Sequence, residues 1–123
     1  KRQRPDIYAR THKVLNSTSF LVHRLTGAFT IDHYSAGNST PFYLPDKLGW
    51  SEELAPGAID IGLMPDLLWT TDIAGHVTKA AAEATGLAFG TPVIAGTIAS
   101  SSGSANAAPS LSCLRGPARL KQR

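Results

Sequence analysis

The sequence predicts an α/β fold, because strand-like and helix-like segments alternate along residues 5–98. Apolar runs rich in Val and Ile, such as VIAGTI at residues 93–98, are typical of buried strands. Between such runs lie segments that begin at a capping residue and end at a glycine, which is the pattern of short helices. Residues 99–123 show neither pattern.

The first third of the chain predicts two helices and one strand. Pro5 favours a short helical turn over residues 5–8, because proline suits the first turn of a helix. Asn16 or Ser17 is the candidate N-cap of a second helix, which Gly27 ends. We expect the buried side of that helix to consist of Phe20, Leu21 and Leu25. Residues 28–33 are predicted to form a strand.

The middle of the chain predicts a connection and two further helical segments. Residues 34–45 are polar and rich in turn-forming residues. Ser51 is the expected N-cap of a helix whose first turn carries Glu52 and Glu53, where negative charge interacts favourably with the helix dipole. Residues 65–69 are predicted to form one helical turn.

The last patterned segment predicts a strand, a helix and a second strand. Residues 72–77 form the first strand, with a bulge expected at Gly75. Thr78 is the expected N-cap of an alanine-rich helix over residues 79–85. Residues 91–98 are predicted to be a buried strand, and its carboxyl end is where functional groups collect in open α/β sheets.

Length and charge limit the functional classes. A chain of 123 residues with 42% hydrophobic residues suffices for one domain with a modest core. The net charge of +3 arises at the two ends, because up to Ala99 eight basic residues face nine acidic ones. No aromatic residue is interleaved with the basic ends, so we expect no nucleic-acid partner.

Cysteine and histidine usage predicts neither a disulfide framework nor a metal site. Cys113 is the single cysteine, which fits a reducing, cytoplasmic location. His12, His23 and His76 are spread along the chain without a metal-binding spacing. Residues 84–114 carry no charge, but their prolines and serines argue against a membrane span. We expect no membrane partner, and the oligomeric state is left open.

Six motifs occur in the order in which they appear in one enzyme family. The sequence resembles the N-terminal domain of the FGGY carbohydrate kinases over residues 4–98, about four fifths of the chain. The resemblance lies in NSTSFLVHRLTG (16–27), FTIDHYSAGN (29–38), GWSEEL (49–54), LMPDL (63–67), IAGHVT (73–78) and GLAFGTPVIAGTI (86–98).

The resemblance implies a fold, a reaction and cofactors. It implies the second half of a ribonuclease-H-like domain, of the superfamily that contains actin and hexokinase. The intact family uses ATP and Mg²⁺ to transfer the γ-phosphoryl group to a hydroxyl of a pentulose, another sugar or a polyol. A xylulokinase-like or ribulokinase-like substrate is expected from the same motifs. Neither cofactor is expected to bind this chain well.

Candidate site residues follow from the same resemblance. In the family, a Gly-Thr-x-Asp corner closes the last strand, and its Asp is the base for the attacking hydroxyl, a role that suits a carboxylate. Gly96 and Thr97 match the corner, but Ala99 occupies the Asp position, so no catalytic residue is intact. Asp32 follows a predicted strand beside His33; it is either a substrate contact or a strand-end residue that begins a turn.

The composition changes abruptly at Ala99. We expect residues 1–98 to be a partial kinase domain, and residues 99–123 to be a Ser/Ala-rich and then basic tail, disordered or out of frame. The primary functional prediction is a fragment of a sugar kinase that is inactive alone. Two alternatives stay open: a non-catalytic sugar-binding module, and a non-functional truncated product.

Overall fold

Helices and strands are both present, as the sequence predicts, but they do not alternate throughout, because four strands between residues 43 and 76 follow one another with only a 3₁₀ turn among them. The computed structural model describes residues 1–96. The helices are α1 (Pro5–Arg10), α2 (Ser17–Thr26), α3 (His33–Ala36) and α4 (Lys79–Thr85), with 3₁₀ turns at Gly37–Ser39 and Ile61–Leu63. The strands are β1 (Thr30–Asp32), β2 (Tyr43–Leu44), β3 (Gly49–Trp50), β4 (Asp66–Leu68), β5 (Ile73–His76) and β6 (Pro92–Ile94).

The described strands form three two-stranded sheets. β1 and β4 are parallel, with Ile31 opposite Leu67. β2 pairs with β3, and β5 pairs with β6, both antiparallel. The register of β5 and β6 shifts between Ile73 and Gly75, which confirms the predicted bulge. A core of Ile31, Ala36 and Tyr43 lies beside β1, with Trp50 and Leu67 packed against it.

The predicted caps of the two longer helices are confirmed. The Asn16 side chain accepts a hydrogen bond from the backbone N–H of Ser19, so Asn16, rather than Ser17, is the N-cap of α2. Thr78 caps α4 through the N–H of Ala81. Gly27 and Gly86 follow these helices with φ of 82° and 77°, a left-handed conformation that costs glycine little.

The predicted buried side of α2 is wrong for two of its three residues, since only Leu25 is half-buried. Phe20 and Leu21 are 53% and 62% exposed, whereas Ser19 and Val22 are buried. Small side chains face inward because β5 and β6 approach the helix closely: a Cβ on Gly75 would lie 2.8 Å from Cβ of Thr26. Tertiary packing therefore overrides the apolar pattern of this helix.

Two predicted helical segments are absent. Residues 65–69 contain strand β4, because pairing with β1 supplies their backbone hydrogen bonds. Residues 51–59 form turns rather than a helix. Ser51 Oγ does accept a hydrogen bond from the N–H of Glu53, but the segment up to Pro56 is too short to propagate a helix.

The last strand is present but is not buried as predicted. Pro92 and Ile94 are exposed, and Val93 is half-buried. Burial begins at the next residue, since Ala95 is 1% exposed and donates its N–H to the carbonyl of Asp72. No helix within residues 1–96 has the length and apolar character needed to cross a membrane.

Candidate functional site

Asp32 lies at the carboxyl end of β1 and is almost fully buried. Its side chain is 1% exposed, and its Oδ1 accepts a hydrogen bond of 3.0 Å from the N–H of Ser35. Thr70, which follows the carboxyl end of β4, donates its hydroxyl to the same oxygen at 3.5 Å. Asp32 is thus the N-cap of α3 and joins the ends of the two parallel strands.

His33, the residue after Asp32, lies beside the aromatic rings of Tyr43 and Trp69. His33 Nδ1 is hydrogen-bonded to the hydroxyl of Tyr43 at 2.9 Å, and the His33 ring lies 4.4 Å from that of Trp69, centre to centre. Trp50 contacts Tyr43 edge-on and donates its indole N–H to the carbonyl of Pro65 at 2.8 Å. Trp50 is half-buried, as expected for a packing residue, whereas Trp69 is 56% exposed.

Gly96 lies against the first turn of α2. Its φ is +82°, and a Cβ at this position would approach Cγ2 of Thr18 to 3.0 Å. The candidate corner therefore begins beside the N-terminal end of the helix. Thr97 and Ala99, the other two positions of that corner, lie outside the described residues.

A cleft of about 360 Å³ opens between the N-terminal end of α2 and helix α3; we call it the α2–α3 cleft. Half of its lining is apolar and half carries hydroxyl or amide groups. The apolar residues are Val14, Leu15, Ile31, Trp50, Met64 and Pro65. The polar residues are Asn16, Ser17, Thr18, Ser35, Asn38 and Ser39.

Both described candidate residues adjoin this cleft without lining it. Asp32 caps the helix that carries Ser35, and Gly96 contacts Thr18. Ser35 and Asn38 were not predicted as site residues, because residues 34–45 showed only a turn-rich composition. Their position after a strand, at the carboxyl edge of the sheet, is the signal that could have identified them.

The described lining of the cleft is electrically neutral, since no charged residue is part of it. Lys13 lies nearby, but its ammonium donates to the carbonyls of Gly62 and Met64 at 2.9 and 2.8 Å. Shifted pKa values occur on exposed surface instead. The guanidinium of Arg4 lowers the pKa of Asp6, and Glu53 raises the pKa of Lys47.

Two histidines that are distant in sequence meet at one phenylalanine. His23 stacks on Phe29 at 4.1 Å, and His12 contacts the same ring edge-on at 5.0 Å, centre to centre. They line a second, more open cleft of about 540 Å³. Within residues 1–96 no group of three or more His, Cys, Asp or Glu side chains could hold a metal ion.

Comparison with known proteins places this fold among sugar kinases. A structure described as a xyloylose kinase from Brucella ovis matches with a TM-score of 0.63 and 34% identity, covering 77% of this chain and 20% of that one. A gluconate kinase from Lactobacillus acidophilus matches with a TM-score of 0.66, covering 76% of this chain and 19% of that one. At 20% identity the second match shows the fold alone.

Sequence comparison defines the family. Residues 1–104 match the model of the FGGY family of carbohydrate kinases, N-terminal domain, and the chain belongs to that family. An autoinducer-2 kinase of Enterobacter sp. (strain 638) is 35% identical over 98 residues, covering 76% of this chain and 18% of the relative. Another, from Klebsiella pneumoniae, is 34% identical with the same coverage. The chain thus spans about a fifth of the length of the curated relatives it matches.

Proposed function

We propose that this chain is part of the N-terminal domain of an ATP-dependent sugar kinase, the second half of a ribonuclease-H-like domain. The match of residues 1–104 to the family's N-terminal domain carries this proposal. The whole protein would act in the cytoplasm and transfer the γ-phosphoryl group of ATP to a hydroxyl of a pentulose, another sugar or a polyol. Its relatives include kinases named for autoinducer-2, xyloylose and gluconate, so the particular substrate stays open.

The chain by itself is proposed to be inactive. Phosphoryl transfer depends on positioning and on charge stabilisation around the transferred group. The position that resembles the family's catalytic Asp holds Ala99, which cannot accept a proton. ATP and Mg²⁺ are proposed for the whole protein, as in the family, and neither is proposed to bind this chain well.

An ADP-release assay tests this proposal. The 123-residue chain and its Ala99→Asp variant would each be incubated with ATP, Mg²⁺ and D-xylulose, D-ribulose, gluconate or glycerol. We expect neither protein to release ADP in a sugar-dependent way, because the chain spans about a fifth of the length of its relatives and one added carboxylate does not replace the rest. Sugar-dependent ADP release by the unchanged chain would contradict the proposal of inactivity.

A non-catalytic sugar-binding module is the second candidate. The neutral, half-apolar lining of the α2–α3 cleft favours it, because sugars present both C–H faces and hydroxyl groups. Thermal unfolding with and without each sugar tests it, since a ligand raises the melting temperature only of a fold that binds it. A melting temperature that no sugar changes would exclude this candidate for the sugars tested, and an absent cooperative transition would favour a non-functional truncated product.

A further inference from the structure

Ser35 carries a buried hydroxyl that has no hydrogen-bond partner among the described residues. The residue is 3% exposed, and its Oγ is one of few buried side-chain oxygen or nitrogen atoms within residues 1–96 that lack a partner. Leaving a buried polar group unpaired costs about 1–3 kcal/mol. An alanine would avoid that cost, so the hydroxyl needs an explanation outside the packing of the described fold.

The surroundings of Ser35 supply that explanation. Ser35 lies in the first turn of α3 and is part of the lining of the α2–α3 cleft. Its backbone N–H donates to Asp32, which fixes the position of the residue, while its buried hydroxyl has no partner among the described residues. The N-terminal end of α2 also borders the cleft, and the first N–H groups of an α-helix have no acceptor within the helix itself.

We infer that the Ser35 hydroxyl is a ligand contact, which forms its hydrogen bond with a neutral sugar or polyol held in the α2–α3 cleft. The inference rests on the proposed function, from which it takes the sugar class, and adds the residue and the place. Hydroxyl and amide side chains both donate and accept hydrogen bonds, as sugar hydroxyls do. Trp50 and Met64 offer apolar surface to C–H groups of the same ligand.

The charge of the cleft favours a neutral ligand over an anion. No described lining residue is cationic, and the ammonium of Lys13 is held by two backbone carbonyls. The first N–H groups of α2 are partly used, because Ser19 and Phe20 donate to Asn16. Inorganic phosphate would thus find no opposite charge among these side chains.

Thr30 provides a matched control for Ser35. Its Oγ1 is also buried without a partner among the described residues, and the residue is 7% exposed, but it does not line the cleft. Thr30→Val removes that hydroxyl while keeping the shape of the side chain. Both Ser35→Ala and Thr30→Val should therefore raise the melting temperature of the ligand-free chain, by similar amounts.

Binding is measured on the full 123-residue chain by calorimetric titration with D-xylulose, D-ribulose and inorganic phosphate. We expect the chain to bind at least one of the two sugars, Ser35→Ala to weaken that binding about threefold to tenfold, and Thr30→Val to change it less than about twofold. Binding of phosphate alone, or of neither sugar, would overturn the inference. So would equal sugar affinity in the two variants.

The melting temperature adds an independent readout. If Ser35→Ala lowers it, the hydroxyl has a partner within the fold and the inference is wrong, whatever the titration shows. Failure here leaves the proposed function standing, because that proposal rests on the family match and is tested separately by the ADP-release assay. If a sugar binds equally well to the unchanged chain and to Ser35→Ala, the ligand contact at Ser35 is wrong, but the proposed function is not affected.

Discussion

Gly96 and Thr18 are in close contact, so that a side chain at Gly96 would meet the methyl group of Thr18 at 3.0 Å. This contact places the end of the last described strand against the first turn of α2, beside the α2–α3 cleft. The glycine also has a φ of +82°, which strains any other residue. Two separate constraints therefore act on Gly96: the steric contact with Thr18 and the left-handed backbone conformation.

A cycle of variants separates those two constraints. Gly96→Ala should lower the free energy of unfolding by about 1–2 kcal/mol or more, because a left-handed alanine alone costs that amount. Thr18→Ser removes the methyl group and keeps the hydroxyl, so in the double variant the steric part should disappear and the conformational part remain. Urea unfolding of the unchanged chain, the two single variants and the double variant measures the steric and the conformational part. Strict additivity would contradict the contact.

Gly75 is required because β5 runs close to the last residue of α2. Gly75→Ala would place a Cβ 2.8 Å from Cβ of Thr26, so we expect a loss of about 1–3 kcal/mol in unfolding free energy. Gly37→Ala is the matched control, since its Cβ would enter open space and its backbone is helical. That variant should change stability by less than about 1 kcal/mol in urea unfolding. Equal losses in both would mean that the close approach is absent.

Asp32 is predicted to stabilise the fold as the N-cap of α3. Asp32→Ala should cost about 1–2 kcal/mol or more, because a buried N–H of Ser35 then lacks its acceptor. Asp32→Asn should lose less, since its amide oxygen can accept the same bond. Asp60→Ala serves as the control: Asp60 caps a 3₁₀ turn at the surface, where water replaces its bond to Gly62. An Asp32→Ala variant as stable as Asp60→Ala would refute the capping role.

The two tryptophans are predicted to differ in their contribution to stability. Trp50→Phe leaves the carbonyl of Pro65 without its indole donor and loosens the contact with Tyr43, so a loss of about 1–3 kcal/mol is expected. Trp69→Phe alters a side chain on a 56% exposed residue and should cost less than about 1 kcal/mol. Thermal unfolding followed by circular dichroism measures both. The reverse order would show that Trp69, rather than Trp50, anchors the core.

Local signals correctly predicted two capped helices, although the cap signal at Ser51 is not followed by a helix. Strand pairing, which acts between residues distant in sequence, determined much of the rest. Asn16 and Thr78 cap helices that glycines end, because each signal acts within a few residues. Residues 65–69 became a strand because β1, more than thirty residues earlier, supplies their partner. No local pattern contains that information, which is also why the inward side of α2 was predicted wrongly.

The site was predictable only in part for the same reason. Asp32 and Gly96 were identified from motifs, and the structure brings each next to a residue that lines the cleft. Ser35 was not identified, because its significance depends on burial and on a missing hydrogen-bond partner. Neither property can be derived from a single serine in a turn-rich segment.

We propose that this chain is part of a sugar kinase, and that the abrupt change of composition at Ala99 arises because the reading frame is interrupted near codon 99. Sequencing the encoding DNA across codons 90–123 and translating all three frames tests it most directly. We predict an alternative frame that restores an aspartate at the position of Ala99, completing a Gly-Thr-x-Asp corner, and continues as a kinase. If no such frame exists and homologous chains share the tail in frame, the claim of an interrupted enzyme is wrong.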